Sequence, residues 1–103
     1  MIRHVIMLKL HEFADGCDKQ TNARRVKEMM EAMRGNVAGL HSFEVGINQL
    51  DGPQAFDVVL ISTLESWEAL EAYRVHPLHL EVVELLKKVR SDRVVVDWEI
   101  AAT

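Results

Sequence analysis

The opening stretch of the chain, residues 2–10, constrains the fold more than any other segment. Its even-numbered residues are four aliphatic side chains and one histidine, while its odd-numbered residues include Val5 and Met7. Alternation with a period of two predicts a β-strand, because successive side chains of a strand point to opposite faces. Apolar groups on both faces indicate that this strand is at least partly covered on both sides.

A helix is predicted after a polar loop that follows this strand. Apolar residues recur at helical spacing from about residue 18 to residue 34, with Asp18 or Thr21 as the cap and Gly35 as the C-terminal stop. The predicted apolar stripe consists of Ala23, Val26, Met29, Met30 and Met33. A stripe of this kind is typical of a helix that packs on a core.

Three further strands and a broken helical region complete the pattern. The alternating stretch 41–50 predicts a second strand, the nearly continuous apolar stretch 56–64 a central third strand, and the stretch 93–100 a fourth. Ser66 is placed to cap a short helix, and Pro77 suits the first position of another, where its missing N–H costs nothing. The buried stripe of that second helix is predicted to be Leu80, Val83, Leu86 and Val89.

The order of these elements, β-α-β-β-α-β, predicts an α+β fold of the ferredoxin-like type. In this split βαβ arrangement a four-stranded antiparallel sheet carries its helices on one face. With 103 residues, the chain is predicted to form a single domain, 1–103. The other face of the sheet needs cover, and a second copy of the chain is the simplest source. We therefore expect a homodimer whose two sheets pack into a dimeric α/β barrel.

Composition argues against several classes of partner. The formal net charge is −4, whereas phosphate binding needs a clustered excess of lysine and arginine, so no nucleic-acid partner is expected. No apolar run approaches the roughly 18–20 residues of a membrane span, and no membrane partner is expected. The single cysteine, Cys17, cannot form an internal disulfide, so a cytoplasmic protein is predicted.

The stretch "YRVHPLHL", residues 73–80, concentrates the chemically versatile side chains. His76 precedes Pro77, which favours an extended backbone suited to a helix cap. Tyr73 and His79 can converge only if Pro77 turns the chain. A metal site built from His76 and His79, with His4 or Asp97 as a third ligand, is an alternative that Pro77 disfavours. Neither a metal nor a cofactor is predicted.

Three segments of the chain together resemble the stress-responsive dimeric α/β-barrel (Dabb) family. They are "MIRHVIMLKL", "FDVVLISTLESWEALEAYRVHPLHLEVVE" and "VVVDWE", and the likeness extends over nearly the whole chain. Within them, His4, the "ES" before the short helix and the pattern Y-x-x-H-P-x-H are the most specific elements. The resemblance implies a ferredoxin-like monomer that pairs through its sheet.

The resemblance also implies a candidate site. One plant member of the family is a polyketide cyclase that closes a linear tetra-β-ketide by aldol condensation. Its catalytic histidine and tyrosine match His79 and Tyr73, and the aspartate that orients its histidine matches Asp97. Its strand-one pocket histidine matches His4, but a histidine of its third strand is replaced here by Val58. The predicted pocket lining is His4, Ile6, Leu8, Leu60 and Val95.

The side chains of His79 and Tyr73 are chemically suited to the formation of an enolate. Histidine titrates near neutral pH and can take a proton from a carbon next to a carbonyl, while a tyrosine hydroxyl can donate to the developing oxyanion. Two functions stay open at this point. One is a dimeric, stress-related protein that binds a small apolar or carbonyl metabolite, and the other is a cofactor-free polyketide cyclase or lyase-like enzyme.

Overall fold

The structure is a computed structural model that describes residues 1–101. Its strands are β1 (Ile2–Leu10), β2 (Phe13–Ala14), β3 (Cys17–Asp18), β4 (Leu40–Ile47), β5 (Val58–Leu64) and β6 (Arg90–Glu99). Its helices are α1 (Lys19–Glu31), α2 (Trp67–Arg74) and α3 (Pro77–Val89). None of the helices in this part of the chain is long and apolar enough to cross a membrane.

The four long strands form one antiparallel sheet in the order β4-β5-β1-β6, and β2 pairs with β3 in a separate small hairpin. This is the ferredoxin-like arrangement that the element order predicts. β5 and β1 are the two inner strands of this sheet. This agrees with their sequences, because apolar residues on both faces are typical of strands in the middle of a sheet. The sheet confirms the predicted α+β fold class.

One face of the sheet packs against the helices and forms the core. Ile6 of β1 lies opposite Leu60 of β5 on one side and Val95 of β6 on the other. The buried side chains of this face and of the helices form a single apolar cluster. His4 and Ser62 are buried polar residues on the same face, and the Ser62 hydroxyl lies 3.3 Å from the carbonyl of His4.

The first helix begins where the sequence predicts and ends earlier. The Asp18 carboxylate accepts a hydrogen bond of 2.8 Å from the backbone N–H of Thr21, which makes Asp18 the cap. The helix ends at Glu31 rather than near residue 34. Met33 is nevertheless fully buried, because the turn that follows keeps it against the core. Gly35 then adopts a φ of 76°, a conformation that glycine reaches without steric cost.

The predicted buried stripe of α3 is only partly correct. The buried residues are Val82, Leu85, Leu86 and Val89, while Leu80 is exposed and Val83 is half-buried. The reason is geometric. Four residues at strict three-residue spacing spread over about half of the helix circumference, at 100° per residue, and cannot all face one side. The observed four lie within about a third of that circumference.

The last strand begins directly after α3, at Arg90 rather than at residue 93. The additional residues continue the pairing with β1, in which Leu10 lies opposite Arg90 after a register shift. Pairing with β1 satisfies the hydrogen-bonding needs of the backbone N–H and C=O groups of these residues. This contribution does not depend on side chains and leaves no pattern in the sequence.

The second face of the sheet carries exposed apolar side chains. Met7, Val94, Val96 and Trp98 are all exposed on this face, which alternates with the core face along β1 and β6. The half-buried Val5, Val59 and Ile61 lie among them. The apolar residues on this side of β1 therefore belong to a face of the sheet that residues 1–101 do not cover.

Candidate functional site

The break between α2 and α3 is built by two neighbouring residues, His76 and Pro77. His76 has extended backbone angles (φ −64°, ψ 138°), and its Nδ1 accepts a hydrogen bond of 3.1 Å from the backbone N–H of Leu78. Pro77 occupies the first helical position. His76 is therefore the cap of α3, as its place before proline predicts.

The break frees a carbonyl that holds His79. In an unbroken helix the N–H of Leu78 would bond the carbonyl of Arg74, four residues earlier. Here that N–H is directed to His76 instead, and Nδ1 of His79 lies 2.9 Å from the Arg74 carbonyl oxygen. A carbonyl can only accept, so Nδ1 of His79 carries the proton and donates it. The other ring nitrogen, Nε2, then has a free lone pair.

Tyr73 lies between two imidazoles. Its ring centroid is 4.6 Å from that of His79, at an interplanar angle of 50°. The ring of His4 is 5.9 Å away on another side, in an edge-on arrangement. The tyrosine side chain is buried, with 1% of the residue exposed. The break at Pro77 thus brings Tyr73 and His79 together, as the sequence predicts.

Asp97 contacts His4 and not His79, which corrects the role inferred from the resemblance. The two residues are directly opposite each other in the register between β1 and β6, and the Asp97 carboxylate pairs with Nδ1 of His4. The guanidinium of Arg74 lies 3.9 Å from the other carboxylate oxygen. Residues that lie directly opposite each other on neighbouring strands have their side chains close together on one face of the sheet. His79 is oriented by a backbone carbonyl instead of a carboxylate.

Burial sets the protonation of the Tyr73–His79 pair. Desolvation lowers the pKa of His79, and the nearby His4, Arg93 and Arg74 lower it further, against the opposing effect of the hydrogen bond to the Arg74 carbonyl. Desolvation raises the pKa of Tyr73, which Arg93 opposes only in part. At neutral pH, the lowered pKa favours a neutral imidazole at His79, and the raised pKa favours a protonated phenol at Tyr73.

A cavity of about 240 Å³ lies between the sheet and α3 and reaches both side chains. Its floor is apolar and largely buried, and its rim carries three exposed basic residues. The lining consists of Ile6, Met30, Leu60, Tyr73, His79, Val82, Val83, Leu86, Lys87, Arg90 and Arg93. A dry apolar cavity of about 150 Å³ is enough to bind benzene, so this one has room for a small organic compound.

The predicted pocket residues divide into two groups. Ile6 and Leu60 line the cavity together with Tyr73 and His79. His4, Leu8 and Val95 do not line it, although all three lie on the core face of the sheet. Strand alternation assigns a residue to a face but does not say how far along the strand a cavity extends.

The sequence reasoning missed the contribution of α3 and the start of β6. Val82, Val83 and Leu86 supply the apolar wall from the helix, and Lys87, Arg90 and Arg93 supply the rim. A signal was present for Arg93 only. It lies two residues before Val95, which was predicted for the pocket, so the alternation of the strand places Arg93 on the same face.

A metal centre does not assemble from the described residues. In residues 1–101 no three histidine, cysteine, aspartate or glutamate side chains are grouped so as to hold a metal ion. Nδ1 of His76 and Nδ1 of His79 are both engaged with the backbone. His76 and His79 therefore belong to no such group in residues 1–101.

The site lies in a chain that matches a known family over almost its full length. Residues 2–100 match the stress responsive A/B barrel domain, Dabb. The protein is a member of the Dabb family. The resemblance of the sequence motifs to this family is confirmed.

Two relatives of this Dabb protein are at least 30% identical to it. An uncharacterized protein of Streptomyces coelicolor is 31% identical over 99 residues, which cover 96% of this chain and 99% of the relative. A stress-response A/B barrel domain-containing protein of Arabidopsis thaliana is 30% identical over 103 residues. That match covers 95% of this chain but 46% of the plant protein, so the chain spans about half the length of that relative.

Solved structures with the Dabb chain's fold include both uncharacterized proteins and an enzyme. A dimeric ferredoxin-like protein of unknown function from Bacteroides fragilis has a TM-score of 0.81 and 22% identity, over 96% of this chain and 95% of the other. Hydroxynitrile lyase from Passiflora edulis has a TM-score of 0.77 and 14% identity, over 99% and 94% of the two chains. At these identities the likeness shows the fold alone.

Proposed function

We propose that this Dabb protein binds a small, mainly apolar carbonyl compound in the cavity between the sheet and α3. The floor offers an apolar surface formed by residues such as Ile6, Leu60 and Val82, and Tyr73 and His79 are the polar groups of its wall. A mostly apolar pocket with a few placed polar groups is the usual form of a small-molecule site.

The chemistry we propose is the transfer of a proton at the carbon next to the carbonyl. One observation carries this step: Nδ1 of His79 donates to the Arg74 carbonyl, which leaves Nε2 unprotonated in a residue that lines the cavity. The lowered pKa of His79 keeps that nitrogen free at neutral pH. A neutral imidazole is a competent general base when it is within reach of the proton.

Tyr73 completes the step in this proposal. Removal of the proton places negative charge on the carbonyl oxygen, and a hydroxyl that stays protonated can donate to it. Burial raises the pKa of Tyr73, which favours the protonated form. Base and donor are both side chains, so the transfer itself needs no cofactor. An aldol-type cyclisation and a lyase reaction that begins with removal of an α-proton both pass through an enolate, and either is compatible with this pair.

The protein is proposed to act as a homodimer in the cytoplasm, with a stress-related role. The exposed apolar face of the sheet supports pairing, as does the dimeric state of the Bacteroides fragilis protein. The lone cysteine supports the location. The name of the Arabidopsis thaliana relative supports the role in stress.

A binding function without turnover is the second candidate. It is favoured by the pairing of Asp97 with His4, because the base then lacks the carboxylate partner that would raise its basicity.

Exchange of ligand protons for deuterium separates these candidates. The probe is phenylacetone, a neutral ketone of suitable size, incubated with the protein in D₂O and followed by the NMR signals of its α-protons. We expect exchange above the buffer rate, loss of this excess in His79→Gln, and about a hundredfold reduction in Tyr73→Phe. His41→Gln is the control, since His41 is exposed on β4 and absent from the cavity.

The two negative outcomes are distinct. If phenylacetone shifts the resonances of cavity residues but exchanges only at the buffer rate, the protein binds without turnover. If it leaves those resonances unchanged up to its solubility limit, the cavity is not the site proposed here.

A further inference from the structure

The rim of the cavity differs in charge from the rest of the molecule. The chain has 16 acidic and 12 basic residues, yet the cavity lining contains three basic residues and no aspartate or glutamate. These three, Lys87, Arg90 and Arg93, are exposed, whereas the floor of the cavity is buried. The positive charge is therefore concentrated at the entrance.

The two arginines of this rim are available to a ligand. Lys87 forms an ion pair with Glu84, in which Nζ of Lys87 lies 3.2 Å from the Glu84 carboxylate. Across residues 1–101, the ion pairs of the structure involve neither Arg90 nor Arg93. The neighbouring carboxylate, Asp97, is engaged by His4 and lies near Arg74. An anion at the entrance would meet guanidinium groups with no competing partner.

We infer that the ligand of this cavity is an apolar anion, with its hydrocarbon part on the buried floor and a carboxylate or phosphate group held at the rim by Arg93 and Arg90. A planar guanidinium binds either group through two parallel hydrogen bonds, which a neutral head group cannot form. The inference rests on the cavity being the binding site proposed above, and it adds the charge of the substrate class.

Arg93 is the residue that sets this specificity. It projects from the core face of β6, opposite Leu8, and its charge reaches both Tyr73 and His79. An anionic group held there fixes the ligand near the proposed base and donor. Arg93 acts on binding, so the loss of its charge weakens anionic ligands and leaves neutral ones nearly unaffected.

A pair of near-isosteric ligands tests this charge preference. Octanoate and octanamide have the same chain and differ in head-group charge, and octyl phosphate separates a preference for phosphate from one for carboxylate. Affinities are measured by calorimetry at low ionic strength, where interactions between exposed charges are least screened. We expect octanoate, octyl phosphate or both to bind about tenfold more tightly than octanamide.

Three variants complete the test. Arg93→Gln is expected to weaken the anions about tenfold and to change octanamide less than twofold. Arg90→Gln is also expected to weaken binding of the anions, but by less than Arg93→Gln does. Lys88→Gln is the control for general charge, because Lys88 is exposed on α3 next to the rim but does not line the cavity.

The possible results are distinguishable from failure of the proposed function. Equal binding of octanoate, octyl phosphate and octanamide overturns the charge preference and leaves an apolar site intact. Equal losses of anion affinity in Arg93→Gln and Lys88→Gln overturn the proposed role of Arg93 in recognising the anionic head group. Absence of binding by all three ligands overturns both proposals. A preference for anions without any proton exchange of phenylacetone retains the anion site and removes the proposed chemistry.

Discussion

A hydrogen bond of 2.9 Å joins Nδ1 of His79 to the backbone carbonyl of Arg74 across the break between α2 and α3. This bond selects the tautomer of His79 that has a free lone pair on Nε2. It exists because His76 takes the N–H of Leu78, the group that would occupy the Arg74 carbonyl in a continuous helix. A capping residue thus determines the chemical state of the residue three positions later.

The pH dependence of proton exchange follows from the lowered pKa of His79. The base works in its neutral form, so the exchange rate is expected to be level near pH 7 and to fall on acidification, with a midpoint below 6.5, the ordinary value for histidine. The measurement is the exchange of phenylacetone between pH 4.5 and 8, within the range where the protein stays folded. A midpoint above 6.5 would contradict the assignment of burial as the dominant cause.

Stability has a related pH dependence with a definite sign. Below pH 6.5 the unfolded chain binds a proton at His79 more readily than the folded one, so the free energy of unfolding decreases as the pH falls from 6.5 through the lower folded pKa. His79→Gln should lose less stability than the parent over this interval, as measured by urea unfolding at a series of pH values. Parallel stability curves for the two proteins would show that the pKa of His79 is not lowered.

The cap of α3 can be tested at His76. His76→Ala removes the acceptor of the Leu78 N–H, and we expect the free energy of unfolding to decrease by about 1 kcal/mol. His76→Asn retains an acceptor and should restore most of this loss. The control is His41→Ala, at an exposed position where the change should stay within about 0.5 kcal/mol. Chemical denaturation provides the comparison, and equal stability of His76→Ala and His41→Ala would contradict the capping role.

Dimer formation can be tested with two adjacent valines of β6. Val96 lies on the exposed apolar face of the sheet and Val95 on the core face, and both are exposed in the single chain, at 60% and 41%. Val96→Asp places a charge in the proposed interface and should give a monomer, because burial of an unpaired carboxylate is costly. Light scattering should report 11.8 kDa for Val96→Asp and about twice that mass for the parent and for Val95→Asp. A parent protein that is monomeric at micromolar concentration would remove the dimer from the proposal.

The core face of α1 offers a further matched pair. Val26 is fully buried, whereas Met29 is half-buried at the margin of the core. Val26→Asp should decrease the free energy of unfolding by about 3 kcal/mol or more, since its carboxylate would have neither water nor a partner. Met29→Asp should cost clearly less, because its carboxylate can reach solvent. Thermal unfolding followed by circular dichroism gives both values, and a larger loss at Met29 would contradict the placement of the helix.

Local patterns in the sequence determined the fold and part of the site. The alternation of residues 2–10, the caps at Asp18 and Ser66 and the proline at position 77 each act through backbone geometry within a few residues, so their effect is readable without a structure. The convergence of Tyr73 and His79 across the break belongs to this class.

Tertiary packing decided the partners of the polar groups. Asp97 and His4 are 93 positions apart in the chain, and their pairing depends on the register between β6 and β1, which no local pattern specifies. The rim of Lys87, Arg90 and Arg93 depends on how the end of α3 is placed over β6. Exposed basic residues leave no periodic signal in a sequence, because periodicity reports the burial of apolar groups and is insensitive to which charges meet at a surface. For that reason the apolar floor of the cavity was predictable in part, while the grouping of its three basic residues was visible only in the folded chain.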